Sequence, residues 1–453
     1  MRFERPTSLL AAAVVGVYVL VVVGATAALA DAAAACHGWP LCGGDLTNPA
    51  VLVAILHRAA AGLVGLLILA VALLGWGSLD RRAKAGLGVA VLLYPAQVAV
   101  GALVASGGGF GGLHLLVAMS IFGALVLALA WQLEAETGTD DARVTDPEPD
   151  LADEPVDGVG PTSLTGLARL KATAWAYFEL MKPRLMWLLC LVAGAGMALG
   201  GTPTVRTVLL TLGGGVLAIG ASGTYNHVLE RDIDRRMERT ADRPVATHEV
   251  PVRNALAFGA LLTVASLWAF FSVNLLVAAL GFAAIVFYSV VYTLLLKPNT
   301  VQNTVLGGAA GALPALIGYA AVTESIGLVG LALAAVIFLW TPAHFYNLAL
   351  AYKDDYERGG FPMMPVVRGE TETRKHILLY LGATLLSAAA LTALSDLGWL
   401  YAATTVSVGA VFLWTVVRLH RERTDGAAFR AFHASNAYLG LLLVAIVVDA
   451  LAI

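Results

Sequence analysis

The sequence predicts an all-α polytopic membrane protein with about thirteen transmembrane helices, a four-helix bundle followed by a nine-helix bundle. Three observations predict it. Apolar residues make up 59% of the 453 and charged residues 13%, with a mean hydropathy of +0.79, which excludes a soluble domain. The apolar residues come in runs close to the ~20 that cross a hydrocarbon core as a helix. The lysines and arginines fall almost entirely between alternate runs, on one side of the membrane.

The first run, near residues 9–31, follows Arg2 and Arg5. It exceeds the roughly 7–15 apolar residues of a cleaved signal, so a retained helix is expected. Runs near 50–76, 86–106 and 111–133 complete a first module, residues 1–133. Residues 134–157 then hold ten acids and a single base, Arg143, interrupted by Pro147, Pro149 and Pro155. Such a segment cannot bury enough apolar surface to offset its ordering entropy, so 134–170 is read as an acidic disordered linker. Nine further runs, near 185–200, 206–225, 254–271, 274–296, 303–322, 327–349, 376–394, 397–417 and 435–453, make a second module, residues 171–453. With the N-terminus cytoplasmic, only Arg58 and Arg206 of the 28 lysines and arginines lie outside the inner segments. A multi-pass protein of the cell membrane is expected, its charged loops facing the cytoplasm.

The chemistry is concentrated in two of those loops. In the first, residues 226–244, acids and arginines alternate, and Asn226, Glu230 and Asp234 are spaced by four, so a helix leaving the bilayer carries them on one face. Oxygen ligands beside guanidiniums suit a magnesium diphosphate: the oxygens take the hard cation and the bases take the remaining phosphate charge. The second loop contains Lys353, Asp354, Asp355, Glu357 and Arg358, ending in Pro362-Met363-Met364-Pro365. It follows the sixth run of the second module, as the first loop follows the second, which suggests two carboxylate clusters facing one site. Either loop alone also reads as a positive-inside loop with balancing acids. Asp232 lies off the Asn226 face, and His227 beside the stripe is a weaker candidate for substrate contact.

Residues from about 171 to 453 resemble the UbiA-type intramembrane prenyltransferases, and within them the protoheme IX farnesyltransferase (heme O synthase) branch. The resemblance rests on Lys182-Pro183-Arg184, on Asn226 to Pro244, on Tyr292 to Asn303, on Gly307 to Pro314, on Trp340 to Phe345 and on Tyr352 to Pro365. It implies Asn226, Glu230, Asp234, Asp354 and Asp355 as catalytic residues, with magnesium held by Glu230, Asp234 and Asp355. It implies Lys182, Arg184, Arg239, Arg243, Lys297, Lys353 and His344 as substrate-binding, the substrates being farnesyl diphosphate and protoheme IX. Two departures stand out. Glu230 replaces the Asp of the general signature, and Ala351 stands where the common second motif places an acid four residues before Asp355. The implied chemistry is ionisation of the allylic diphosphate to a farnesyl cation, attack by the heme 2-vinyl group on C1, and completion by water, with no protein nucleophile. His344 either contacts the heme substrate or hydrogen-bonds within the bundle.

In the first module, His57 and His114 enter their spans from the outer side at similar depth. Facing histidines in a four-helix bundle can hold a heme b between two imidazoles, or serve as hydrogen-bonded structural groups. Cys36 and Cys42 lie in an outer loop, where a disulfide is expected ahead of a metal site with His37. The module resembles one half of heme A synthase through Cys36, Trp39-Pro40, Cys42, His57-Arg58, Gln97, Gly101 and Leu113-His114, with Ala54 where that family has Glu. A bound heme, docking to a separate heme A synthase and a degenerate remnant stay open. Rival functions are a UbiA-type transferase with another acceptor, a non-catalytic bis-histidine cytochrome, and a transporter. The last predicts charge near the bilayer midplane, whereas these acids sit at its edge. No nucleic-acid-binding patch is present in the sequence.

Overall fold

A computed structural model describes residues 5–29, 35–36, 38–138 and 166–452. The expected tether falls largely at 139–165, outside the described residues, as does His37. Thirteen described helices are long and apolar enough to cross a membrane. In chain order they begin with α1 (Arg5–Leu29), α2 (Pro49–Gly75), α3 (Arg81–Ala105) and α4 (Gly111–Thr137). After α5 (Gly166–Leu180) come α6 (Pro183–Gly200), α7 (Val205–Leu229), the short α8 (Arg231–Asp234), α9 (Val252–Phe271) and α10 (Leu275–Val286). A π-helical segment, Phe287–Leu296, extends α10. Then follow α11 (Asn303–Thr323), α12 (Leu328–Ala351), α13 (Lys353–Arg358), α14 (Met364–Val367), α15 (Glu370–Leu394), α16 (Trp399–Glu422) and α17 (Asp425–Ala452).

Several helices start where a polar residue offers a cap. Asn48 accepts from the Ala50 N–H at 2.9 Å with Pro49 in the first turn, Asp80 from Arg82 at 2.8 Å, and Asn274 from Val277 at 2.8 Å. Lipid-facing side chains such as Leu63, Leu66, Trp268 and Phe271 stay exposed, as expected where the solvent is hydrocarbon.

Packing divides the chain differently from the sequence partition 1–133, 134–170 and 171–453. One compact unit comprises Met1–Asp140 with Thr371–Ile453, and the other is Asp141–Glu370. The last three long helices thus group with the first four, for reasons that hydropathy cannot display. α1 and α4 both pack against α16. The Tyr18 and Thr405 hydroxyls are hydrogen-bonded at 2.8 Å, and Lys375 donates to Glu134 at 2.8 Å. A hydroxyl pair buried in hydrocarbon has no water to compete for it, so these bonds hold the helices in register.

In the second unit α11 lies between α6 and α12, α7 packs along α9, and α10 touches α7, α9 and α11. Small residues permit the closest approach: a Cβ at Gly196 would collide with the Ala315 carbonyl, and one at Gly318 with the Ala193 carbonyl. Without a hydrophobic drive between helices in lipid, such backbone proximity supplies much of the packing. Gly318→Leu should therefore force α6 from α11 and cost about 1–3 kcal/mol. Thermal unfolding of the detergent-solubilised protein should show a lower midpoint than wild type, and an unchanged midpoint would contradict this packing.

Candidate functional site

The first charged motif begins in the last turn of α7. The spacing of Asn226, Glu230 and Asp234 suggested one unbroken helix, but α7 ends at Leu229 and α8 starts afresh at Arg231. The register survives because the Glu230 N–H donates to the Asn226 carbonyl at 2.9 Å and the Asp234 N–H to the Glu230 carbonyl at 2.7 Å. The three side chains are buried, as the break lets the chain turn while still covering them.

Each buried oxygen-bearing side chain is matched to a base. Lys297 Nζ donates to Glu230 Oε1 at 2.6 Å, and Arg243 Nη1 donates to both Asp234 oxygens at 2.7 and 2.8 Å. Lys182 donates to Asn226 Oδ1 and, at 3.3 Å, to the Tyr288 hydroxyl. Pro183 bars Lys182 from the right-handed helical region, and its backbone sits at φ 55°. The Asn226 amide donates to the Thr293 hydroxyl at 3.2 Å, which in turn donates to the Tyr288 carbonyl at 2.9 Å. That last bond spans five residues, so the π-helical turn brings Tyr288 and Thr293 to the cluster together. Hydropathy held no sign of this turn, and the role of Tyr288 was not visible in the sequence.

Burial shapes the charges. It pushes Lys182 down to about 8, with Arg243 acting in the same sense. It likewise lowers Lys297, against the pull of Glu230. For Glu230, burial raises the carboxyl, but Lys297, Lys182 and Arg243 outweigh it and hold it below its ordinary value. Asp234 is raised, because burial and the neighbouring Glu230 overcome Arg243.

The second charged loop meets the first through Asp355. Asp355, expected to bind metal, accepts the Glu238 N–H at 2.8 Å, the Arg239 N–H at 3.4 Å and Arg358 Nη2 at 2.8 Å. Its carboxylate pins the first loop to the second. Arg239 lies over the Tyr352 and Tyr356 rings, its carbon 5.2 and 5.5 Å from their centroids. Met237, Tyr356, Phe361 and Met363 pack as one apolar cluster beneath both loops. Lys353 pairs with Glu370 at 3.3 Å, and Asp354 and Arg184 are exposed and join none of the bonds described above. His344 stacks on Trp340 with centroids 4.3 Å apart. Asp232 forms surface pairs with Arg231 and Arg235. Among the described residues no three acid, histidine or cysteine side chains converge as a complete metal cage.

Beside this cluster opens an apolar cavity between α6, α7, α10 and α11. Lys182, Ser222, Gly223 and Tyr288 form its polar end, and Ala193, Thr211, Leu212 and Ile317 lie further in. The arrangement is a charged anchor at the mouth of a greasy groove.

The UbiA prenyltransferase family model matches residues 187–442. The chain belongs to the UbiA prenyltransferase family. It is similar to protoheme IX farnesyltransferase 1 of Natronomonas pharaonis, 74% identical over 100% of both chains. It is also similar to the protoheme IX farnesyltransferase of Haloarcula marismortui, 68% identical over 99% of this chain and 98% of that one. A solved digeranylgeranylglyceryl phosphate synthase structure aligns with a TM-score of 0.53 and 14% identity, covering 62% of this chain and 100% of that one, which supports the fold. As a UbiA enzyme, the chain is a multi-pass membrane prenyltransferase.

In the other compact unit, Cys36 and Cys42 are joined as a disulfide with Cα atoms 5.3 Å apart. Arg58, one of the two bases outside the expected inner segments, donates to the Gly38 and Pro40 carbonyls at 2.9 and 3.3 Å. Arg206, the other, donates to the Ser272 carbonyl at 2.9 Å at the end of α9. The rings of His57 and His114 lie against Gly24 and Gly101, and the Nδ1 of each has no partner among the described residues. His114 Nε2 is 3.2 Å from the Gln97 amide nitrogen.

Asp355→Ala should unpin the first loop, strand two backbone N–H groups and cost about 1–3 kcal/mol. Proteolysis in the 226–250 loop should accelerate while the rest of the chain stays resistant, and equal protection in the variant would contradict the pinning role. The Lys182 ammonium should also set a pH limit. Its depressed value means the proton is lost as pH rises through about 8, so kcat/KM for the prenyl diphosphate should fall above that point. Lys182→Arg should move the alkaline limb upward, and an identical limb would remove Lys182 from diphosphate binding.

Proposed function

We propose that the chain transfers a farnesyl group from farnesyl diphosphate to the 2-vinyl group of protoheme IX, giving heme O, at the cytoplasmic face of the cell membrane. The observation that carries the transfer is the row of buried carboxylates paired with bases, Glu230–Lys297 and Asp234–Arg243, beside the polar end of an apolar cavity. The full-length relatives named as protoheme IX farnesyltransferases support the choice of donor and acceptor.

Magnesium fits this donor set. The ion keeps waters and takes one or two carboxylates plus substrate phosphates rather than an all-protein cage. Glu230 and Asp234, with Asn226 beside them, would hold it, and it would neutralise diphosphate charge when bound. Lys297 and Arg243 would turn from the carboxylates, and Lys182 from Asn226, toward the phosphate oxygens. There they stabilise the charge that grows as the C1–O bond breaks and its electron pair leaves with the diphosphate. The 2-vinyl π pair forms the new bond to C1. Its inner carbon takes the positive charge, then the oxygen of a water molecule, and a proton is released. Apolar walls keep other water from the cation before the vinyl group reaches it.

A second reading concerns the first four helices, which we propose hold a heme b between His57 and His114. The unpartnered Nδ1 of His57 supports it, since an axial ligand needs a free imidazole nitrogen.

Membranes given protoheme, farnesyl diphosphate and magnesium should yield a more hydrophobic heme by chromatography. Asp234→Asn and Glu230→Gln should each lower the rate roughly 100-fold or more, on the scale of lost electrostatic stabilisation. Unaltered protoheme with the wild-type enzyme would overturn the transfer. For the four-helix region, the purified wild-type protein should show a reduced-minus-oxidised heme b spectrum that His57→Ala loses. A featureless wild-type spectrum after heme addition would overturn that reading.

A further inference from the structure

Resting on the proposed prenyl transfer, we infer that Phe270 is the stop that limits prenyl-chain length. The cavity follows one face of α7, where Gly223, Ile219, Gly215 and Thr211 succeed one another at intervals of four. Twelve residues separate Gly223 from Thr211, so the groove extends about 18 Å along the helix. An isoprene unit adds four carbon–carbon bonds, roughly 5 Å when extended, so this length matches about three units.

An aromatic ring stands within one turn of the Thr211 end. Phe270, fully buried near the end of α9, lines the cavity and packs against α7 and α10. A Cβ at Gly214 would stand 2.8 Å from its ring, and one at Gly281 would collide with it. Two glycines on different helices thus leave the ring little room to swing aside, and in a close-packed interior it behaves as a wall. Behind it pack Val277 and other apolar side chains of the same cluster. Part-way along the groove the situation reverses. A Cβ at Gly215 would meet nothing within 4 Å, so a side chain there grows into the space the chain would occupy.

These two positions predict opposite changes in selectivity. Full-length enzyme in membranes is assayed with protoheme and magnesium against geranyl, farnesyl and geranylgeranyl diphosphates, and the heme products are separated. Wild type should favour the C15 donor. Phe270→Ala should raise the C20-to-C15 ratio of kcat/KM roughly tenfold or more, the scale on which an apolar pocket discriminates chain length. Gly215→Leu should lower C15 use by a similar factor while keeping C10 use, and it needs no cavity in the core. Should Phe270→Ala fail to accumulate, Gly215→Leu decides alone. Transfer of farnesyl by wild type with unchanged ratios in the variants that accumulate would overturn the stop while leaving the transfer reading intact. Absence of prenylated heme from wild type with all three donors would instead overturn the transfer reading itself.

Discussion

Charge beside hydrocarbon must be matched, and that constraint organises the charged cluster around Glu230 and Asp234. Glu230, Asp234 and Asp355 are all buried, yet each carboxylate has a guanidinium, an ammonium or backbone N–H groups within hydrogen-bond reach. Desolvating such ions costs several kcal/mol apiece, and removing one partner of a buried pair costs about 3–5 kcal/mol. The pairs are therefore a poor source of stability and a good store of oriented charge. Depression of Lys182 and Lys297 and elevation of Asp234 show the strain of that burial. Under the proposed function a magnesium diphosphate would take over both sides of these pairs, cation to the carboxylates and anion to the bases.

The surrounding fold serves that cluster in two ways. Asp355 anchors the first loop by its backbone, so the side chains of that loop are placed by a carboxylate that spends its own oxygens on N–H groups. The π-helical turn after α10 moves Tyr288 and Thr293 to the same spot, from which Lys182 and Asn226 are held. Neighbouring helices contribute the apolar groove. Paired charge thus adjoins an apolar groove, the polarity a prenyl diphosphate itself has.

Much of this was legible beforehand. All thirteen spans were evident because hydropathy over ~20 residues reports directly on the bilayer, and the observed long helices fall on the expected runs. Asn226, Glu230 and Asp234 stood out because helical spacing survives even a break in the helix. Three things were not legible. The helix break at Glu230 depends on tertiary cover of both sides of the turn, which spacing does not encode. Asp355 and Asp354 look alike in sequence, yet one is buried against backbone N–H groups and the other is exposed. The grouping of Thr371–Ile453 with the first four helices rests on pairs such as Tyr18–Thr405 and Lys375–Glu134, separated by 387 and 241 residues, which no local pattern reports.

The most direct test of the central claim is equilibrium binding of a non-ionising farnesyl thiolodiphosphate to the purified chain in lipid nanodiscs, titrated with and without magnesium. Matched burial of acids and bases predicts tight binding that needs the metal. It predicts that neutralising Asp234 or Glu230 weakens the metal-dependent part by roughly 10–100-fold, in line with about 1.4 kcal/mol per tenfold. Affinity that is the same without magnesium, or the same in both neutralised variants, would contradict it.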